Sequence, residues 1–383
     1  WLTRLKRMRI SMNTADIRSQ VINFLRLLLV VLVLFVHSNF RGVSADWDVF
    51  WTTESTGIGP QLPSPGAVID FISGSLALLA NPFFFFISGV LFFREGTFSK
   101  ELYLQKLLRR SFSLLLPYVL WIFTFLFFLS VAESLLPNWT AIVHKPIENF
   151  SFSDWLLCFW DISKIGSQGG IAAPLVIPFW FLRDLMVLCL FTPIIYRVLR
   201  WLASMRKEVP ILLFVALLYA SRWVENVPGL SFQGLLFFSF GAFFSIKQVK
   251  FVDVMRPLKW GGLFFAIFSW QIDSANLMYA GLIVFTVSTA TRFLERRKQQ
   301  NKLGFPLPTF LTDAVFFVFA YHTIVQGGIL FLLKRGIVVP HNALEAFTIY
   351  LLCPLVMLAI GVALYQLLSK IAPRILSIYC GGR

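Results

Sequence analysis

Two ionisable residues stand inside a single apolar run near the start of the chain. The run VINFLRLLLVVLVLFVHSNF, from Val21 to Phe40, contains Arg26 and His37. It is long enough to cross a bilayer, where an ionisable side chain is costly unless it meets a partner or water. The step between the two residues is close to three helical turns, so both point to the same side of a helix, about 16 Å apart. Near pH 7 a neutral imidazole accepts a proton and a guanidinium does not, so His37 is the candidate general base.

A structural interpretation of these two residues stays open. In it, Arg26 reaches back to the membrane interface and His37 merely lies near the other end of the helix. In the functional interpretation, three turns of helix prevent direct contact, so Arg26 orients a ligand or pairs with an acid on another helix. Asp313 lies at a matching depth and is the candidate acid. We therefore predict that His37 transfers the proton and that Arg26 supports the site.

A basic patch, formed by Lys106, Arg109 and Arg110, precedes the apolar sequence SFSLLLPY. Such a patch either anchors a helix at the cytoplasmic interface or binds phosphate groups. Just upstream, the pair Ser88-Gly89 lies within a run of phenylalanines and offers a small surface for close helix approach.

Polar residues also occur in two later apolar segments. Arg183 and Asp184 are adjacent on a predicted helix, where their side chains point about 100° apart. We therefore expect that they do not simply neutralise one another, and that at least one faces the bundle interior or the outer interface. His322, at mid-span in another segment, is either a hydrogen-bonding residue between helices or a catalytic one.

These residues must be positioned by membrane helices. The 383-residue chain is 57% hydrophobic and 14% charged, with a mean hydropathy of +0.75, which is too apolar for a soluble globular protein. The predicted fold class is therefore all-α, a polytopic membrane protein with about ten transmembrane helices in one bundle. The predicted helices cover residues 21–40, 67–93, 107–132, 178–199, 209–226, 229–246, 258–271, 275–293, 308–333 and 343–369.

Basic residues are unevenly distributed over the predicted loops. With the N-terminus inside, the inner loops and both tails hold 26 Lys and Arg, whereas the outer loops hold six. This positive-inside pattern explains the net charge of +15 without nucleic acid. We therefore predict a cytoplasmic segment at 1–20, an integral membrane domain at 21–370 and a cytoplasmic tail at 371–383. Reporter fusions that place residues 140–170 in the cytoplasm would contradict this topology.

The sequence shows no signature of a metal site or of a common soluble enzyme. The four cysteines are scattered, and none lies beside a second metal ligand. Walker A, nucleophile-elbow and HExxH motifs are absent. No repeat and no corresponding pair of broken helices is visible, which weakens a transporter hypothesis. We expect no metal and no permanently bound cofactor.

The motifs resemble, in order, those of the acyltransferase family 3 membrane proteins, over residues 18–370. The resemblance rests on Arg26-x10-His37, FFFISGVLFF, Arg109-Arg110 before LLLPYVLW, FWFLRDL and the Tyr-His pair at 321–322. By this resemblance His37 matches the family's essential histidine and Arg26 its basic partner. The family's Arg-x-x-Arg motif appears either as Lys106-Leu-Leu-Arg109 or as Arg110-Ser-Phe-Ser113, so the residue that serves there stays open.

The resemblance implies transfer of an acyl group, usually acetyl, from cytoplasmic acyl-CoA to a sugar hydroxyl on the far side of the bacterial cytoplasmic membrane. Acyl-CoA would be a co-substrate whose phosphates contact Lys106, Arg109 and Arg110. The implied partners are acyl-CoA, a carbohydrate or glycolipid acceptor and membrane lipids. The acceptor and any homo-oligomer are left open by the sequence.

Two alternatives come from other functional classes. A transporter or flippase for a glycolipid or small carboxylate would use Arg26, Arg183 and His322 along a translocation path, and would not consume acyl-CoA. A non-catalytic partner of a polysaccharide synthase would be insensitive to His37→Ala.

Overall fold

The fold is all-α, as the hydropathy pattern predicts. The computed structural model describes residues 16–51, 64–135, 143, 145–166, 172–300 and 307–382. Each predicted membrane segment corresponds to one of its longer helices. In chain order, α1 to α10 are Ile17–Val36, Pro65–Phe92, Lys100–Leu135, Ile177–Ala203, Glu208–Ala220, Phe232–Ile246, Phe251–Gln271, Ala275–Gln299, Thr309–Lys334 and Ala343–Ile371, and Pro373–Tyr379 forms α11.

The protein is a multi-pass membrane protein, and its helices differ in their ability to span a bilayer. By length and composition, seven described helices qualify, namely α1 to α4 and α8 to α10. The helices α6 and α7 qualify only together, and the chain bends by 106° between them, which gives up to eight spans. The 13 residues of α5 extend over about 20 Å, short of a hydrocarbon core of roughly 30 Å. The figure of about ten is thus approximate, and the orientation of the termini stays a prediction.

The helix α1 lies in the interior of the bundle and packs against α2, α8 and α9. Its buried residues recur at helical spacing, which explains why this sequence forms a helix with one face in the core. They are Val21, Ile22, Leu25, Leu27, Leu29, Val30, Val33 and Leu34. The helix ends at Val36, four residues before the predicted end. His37 follows with φ −89° and ψ 5°, outside the helix rather than within it.

The helices α2 and α6 cross at two glycines. A Cβ atom on Gly89 would lie 2.0 Å from the carbonyl oxygen of Phe238, and one on Gly241 would lie 2.0 Å from that of Phe86. No side chain fits at either distance, so the two backbones are in direct contact. This confirms the predicted close approach at Ser88-Gly89, and it identifies Gly241 as the partner that the sequence alone did not indicate.

Two π-helical turns interrupt long helices beside residues of functional interest. In α2 the turn Ile72–Leu76 contains Ser73, and in α3 the turn Ser111–Leu115 directly follows Arg110. A π turn rotates the residues on either side relative to a regular α-helix, and such turns are frequent at functional sites. Both turns therefore help to set the direction of the side chains described below.

The helix α11 folds back onto α3. Trp121 donates through Nε1 to the carbonyl oxygen of Tyr379 at 3.1 Å, and the Tyr379 hydroxyl lies 2.9 Å from Thr124 Oγ1. The described part of the predicted tail is therefore packed against the bundle. Its cytoplasmic location stays a prediction, and residues 1–15 of the predicted N-terminal segment lie outside the described residues.

Candidate active site

A continuous series of residues connects the middle of α1 with its end. Arg26 lines a cavity of about 110 Å³, and so does Phe319 on α9. The Phe319 ring is 6.3 Å from the ring of His322, and the His322 ring is 5.1 Å from that of His37, measured between centroids. The structure thus brings Arg26, His37 and His322 into one region, as the sequence predicts for the first two.

The basic end of this region is formed by Arg26 and Arg110, which both line the cavity. Arg26 is surrounded by the bundle but remains accessible, because it faces this open space. The other walls are largely apolar. They are formed by Val30, Phe84, Ile87, Ser88, Leu91, Leu114, Phe181, Leu182, Leu185, Val315, Phe316 and Phe319.

Neither arginine of the basic end has an acidic partner among the described residues. The charge that acts on Arg26 is that of Arg110, which has the same sign. The predicted pair with Asp313 is not formed, and Asp313 lies instead on an exposed position near Tyr365. Two like charges beside an apolar cavity are unfavourable unless water or an anion lies between them. The basic end is therefore suited to bind an anion.

The other two residues of the predicted patch are directed elsewhere. Lys106 forms hydrogen bonds to the carbonyl oxygen of Phe92 and to the carboxylate of Glu95, with which it forms an ion pair. Partial burial by itself would raise the pKa of Glu95, but the hydrogen bonds that its carboxylate accepts from Lys106 and from the backbone, together with the charges of Lys106 and Arg94, outweigh burial and lower that pKa. Arg109 is exposed and does not line the cavity. Of the two motif alignments that the sequence left open, the geometry favours the one that begins at Arg110.

The histidine end, formed by His37 and His322, is held by hydrogen bonds to the backbone. Gln326 donates to the carbonyl oxygen of His37 at 2.9 Å. Ser73, in the π turn of α2, donates to the carbonyl oxygen of Phe35 at 2.7 Å, and its hydroxyl lies 2.9 Å from that of Tyr350. These contacts fix the position at which α1 ends, and with it the origin of the His37 side chain.

His322 is fully buried, at 0% exposure. Its Nδ1 lies 2.7 Å from the carbonyl oxygen of Phe319, one turn earlier in α9. Its Nε2 is buried without a hydrogen-bond partner in the described part of the chain. Most buried polar atoms in proteins are hydrogen-bonded, so an exception next to a candidate base calls for an explanation.

A polar cluster that sequence reasoning missed lies just beyond His37. Asn39 donates to Asp70 Oδ1 at 2.8 Å, and Arg41 donates to Asp70 Oδ2 at 3.1 Å. The sequence did contain a signal for this cluster, because Asp70 is an ionisable residue near the start of an apolar segment. By contrast, the sequence held no signal for Ser73, Tyr350 or Gln326, which are ordinary residues for a membrane helix.

The expectation that Arg183 and Asp184 do not neutralise one another was wrong, although the expectation that at least one of them faces the bundle interior or the outer interface agrees with their burial. Arg183 Nε lies 2.9 Å from Asp184 Oδ1, and both side chains are buried, so the two residues do neutralise one another. The long arginine side chain bridges the angle between adjacent positions on the helix. Arg183 also donates to the carbonyl oxygen of Trp160, and Asp184 accepts from the backbone N–H of Gly229 at 3.1 Å. This ion pair connects two loops to α4 and is not part of the region around His37.

Metal ligands are not grouped in the described residues, where no three His, Cys, Asp or Glu side chains come together as a metal site requires. The four cysteines are buried and are not joined by disulfide bonds. The chemistry that this region can perform with its own groups is thus anion binding at the basic end and proton transfer at the histidine end.

Comparison with protein-family models matches residues 20–366 to a family described as an acyltransferase domain. Searches of curated proteins and of solved structures gave no significant match. The matched range contains most of α1, all of α2 to α9, most of α10, and every residue of the basic and histidine ends.

Proposed function

Because the chain belongs to the acyltransferase family whose model spans residues 20–366, we propose that it transfers an acyl group from acyl-CoA to a carbohydrate hydroxyl across the membrane. The family supports acyl transfer by a membrane enzyme. Acetyl is the first donor group to test, since it is a small acyl group and the cavity is only about 110 Å³.

The observation that carries the donor proposal is the unmatched positive charge of Arg26 and Arg110. Acyl-CoA is a polyanion, and arginine forms charge-assisted, often bidentate hydrogen bonds with phosphate oxygens. The apolar walls of the cavity suit the uncharged arm that carries the thioester. We therefore propose that the phosphates bind near Arg110 and that the arm follows the cavity towards Phe319 and the two histidines. Lys106, neutralised by Glu95, and exposed Arg109 contribute less.

The proposed reaction uses His37 as the general base. The acceptor hydroxyl donates a hydrogen bond to an imidazole nitrogen, and its proton moves to His37 as the oxygen attacks the thioester carbonyl carbon. The C–S bond then breaks, and the thiolate takes the proton from the His37 imidazolium, so free CoA and an ester leave and the base is restored. Polar groups at Asn39 and Asp70 lie beyond His37, where they are available to the acceptor.

This proposal also assigns an orientation. Acyl-CoA is cytoplasmic, so the basic end faces the cytoplasm and the histidine end faces the extracytoplasmic side of the bacterial cytoplasmic membrane. The uneven distribution of basic residues over the loops supports the same orientation.

The test is acyl-ester analysis of surface and periplasmic glycans from a deletion strain complemented with the wild-type chain or with His37→Ala. We expect the ester in the wild-type strain only. Membrane vesicles from the wild-type strain should release free CoA from added acetyl-CoA. Uptake of a glycolipid without release of CoA would support the transporter, and unchanged acylation with His37→Ala would support the non-catalytic partner.

A further inference from the structure

The hydrogen bond between His322 and Phe319 determines which nitrogen of His322 carries a proton. The Nδ1 atom lies 2.7 Å from a carbonyl oxygen, and a carbonyl oxygen only accepts hydrogen bonds. The proton must therefore be on Nδ1. A neutral imidazole has a single N–H, so Nε2 presents a lone pair.

The lone pair of Nε2 is buried and has no partner among the described residues. Phe319, whose ring centroid is 6.3 Å from that of His322, offers a ring and no hydrogen-bond donor. The imidazole that faces His322 is that of His37, at 5.1 Å between ring centroids and with the ring planes inclined by 47°. At this separation, a nitrogen of His37 can reach His322 Nε2 if one ring rotates, or can be linked to it through a single water molecule.

We propose that His322 is the positioning residue of the general base, and that its Nε2 accepts a hydrogen bond from the N–H of His37. This inference rests on the proposed function and extends it. By accepting from one nitrogen of His37, His322 keeps the other nitrogen free of its proton and directed at the acceptor hydroxyl. When His37 takes up that proton, its second N–H already has an acceptor.

A carboxylate performs the same task in many hydrolases, where it holds the histidine in the required tautomer and stabilises the imidazolium. A neutral histidine is better suited to this location. A carboxylate at position 322 would be buried among Phe319, Tyr321 and other apolar side chains, where an ion is costly when the base is neutral. The backbone carbonyl of Phe319 orients His322, and His322 orients His37.

The two nitrogens of His322 can be tested separately with two amide substitutions. In His322→Asn, the side-chain amide replaces Nδ1 and keeps the bond to Phe319, but places nothing at Nε2. In His322→Gln, the longer side chain places an amide oxygen near the Nε2 position, where it can accept from His37. If His322 only supports the helix, Asn should be the better substitute, and if it positions His37, Gln should be.

We expect His322→Asn to lower kcat by about 10- to 100-fold, by analogy with the groups that orient metal-bound histidines, with little change in KM for acetyl-CoA. His322→Gln should recover most of this loss. The assay is transfer from radiolabelled acetyl-CoA in membrane vesicles that carry their own acceptor. The matched controls are His341→Asn and His341→Gln, on an exposed loop position, which should be fully active.

The outcomes separate this inference from the function on which it rests. If wild-type vesicles transfer no acyl group, the proposed function fails. If the wild type is active, His37→Ala is inactive and His322→Asn equals or exceeds His322→Gln, only the role of His322 is overturned. Should both variants unfold, as seen by thermal unfolding in detergent, His322→Ser with added imidazole provides the remaining test, and an absence of rescue there contradicts the proposal.

Discussion

The basic end and the histidine end of the candidate site are stabilised in opposite ways. At the basic end, Arg26 and Arg110 carry two like charges beside an open cavity, and neither has an acidic partner among the described residues. At the histidine end, the Nδ1 atom of His322 is hydrogen-bonded to the carbonyl oxygen of Phe319, and Gln326 donates to the carbonyl oxygen of His37. An unbalanced charge indicates that the basic end binds a charged ligand, whereas hydrogen bonds that hold the two histidines in place indicate groups positioned in advance for a reaction. The difference predicts that substitutions at the two ends affect different kinetic constants.

The largest effect is expected at the histidine end, from His37→Gln. Glutamine keeps a hydrogen-bonding side chain but cannot accept the proton as imidazole does. General-base assistance contributes about 10²- to 10⁴-fold, so kcat should fall by that factor while KM for acetyl-CoA stays near its wild-type value. Transfer assays in vesicles measure both. Near-normal kcat in a correctly inserted variant would contradict the role of His37 and direct attention to His322 as the base.

At the basic end, Arg110→Gln should raise KM for acetyl-CoA and leave kcat almost unchanged. A hydrogen bond to a charged group contributes about 1.5–3 kcal/mol, which corresponds to roughly 10- to 100-fold in KM. The matched control is Arg109→Gln, which removes an adjacent and exposed charge. Added salt should reproduce part of the loss in the wild type and less of it in Arg110→Gln, since screening acts on the same contact. Equal effects of the two substitutions would show that the patch acts only through its total charge.

Arg26→Gln should stabilise the protein without donor and weaken its response to donor. Removing one of two like charges relieves a repulsion on the order of 1 kcal/mol. Thermal unfolding in detergent should therefore show a higher Tm without acetyl-CoA and a smaller increase when acetyl-CoA is added. A lower Tm combined with an undiminished response to acetyl-CoA would mean that Arg26 has a structural role instead.

The smallest effect is expected from Lys106→Met. The charge of Lys106 is already paired with Glu95, so this substitution should change KM for acetyl-CoA less than Arg110→Gln does. The free energy of unfolding should fall by up to about 1 kcal/mol. Because the folded pKa of Glu95 is lowered, its contribution is present above the ordinary carboxyl pKa and is lost as pH falls. The difference in Tm between wild type and Lys106→Met should accordingly shrink in acid. A large rise in KM would place Lys106 at the donor.

Arg183 and Arg26 give the same signal in the sequence but have different neighbours in the structure. Both are arginines within apolar helices, and an ionisable residue at that depth indicates function in each case. The structure separates them, since Arg183 is neutralised by Asp184 and bonded to Trp160, whereas Arg26 has no acidic partner among the described residues. Whether a buried charge is structural or functional depends on neighbours that are distant in sequence. Trp160 and Gly229 form backbone hydrogen bonds with this ion pair. Neither contact could be inferred from the sequence around Arg183.

The sequence by itself determined the all-α membrane fold, the approximate positions of the helices and the close approach at Gly89, and it identified Arg26 and His37 as candidate site residues. These follow from local composition and helical spacing, because a chain in lipid must satisfy its backbone hydrogen bonds within helices. Only the tertiary structure decided that Arg110 rather than Lys106 or Arg109 faces Arg26, that Asp313 is not its partner, and that His322 lies beside His37. The reason is that helical spacing fixes the direction of a side chain relative to its own helix, whereas contacts between helices depend on how the helices pack and on π turns such as the one after Arg110.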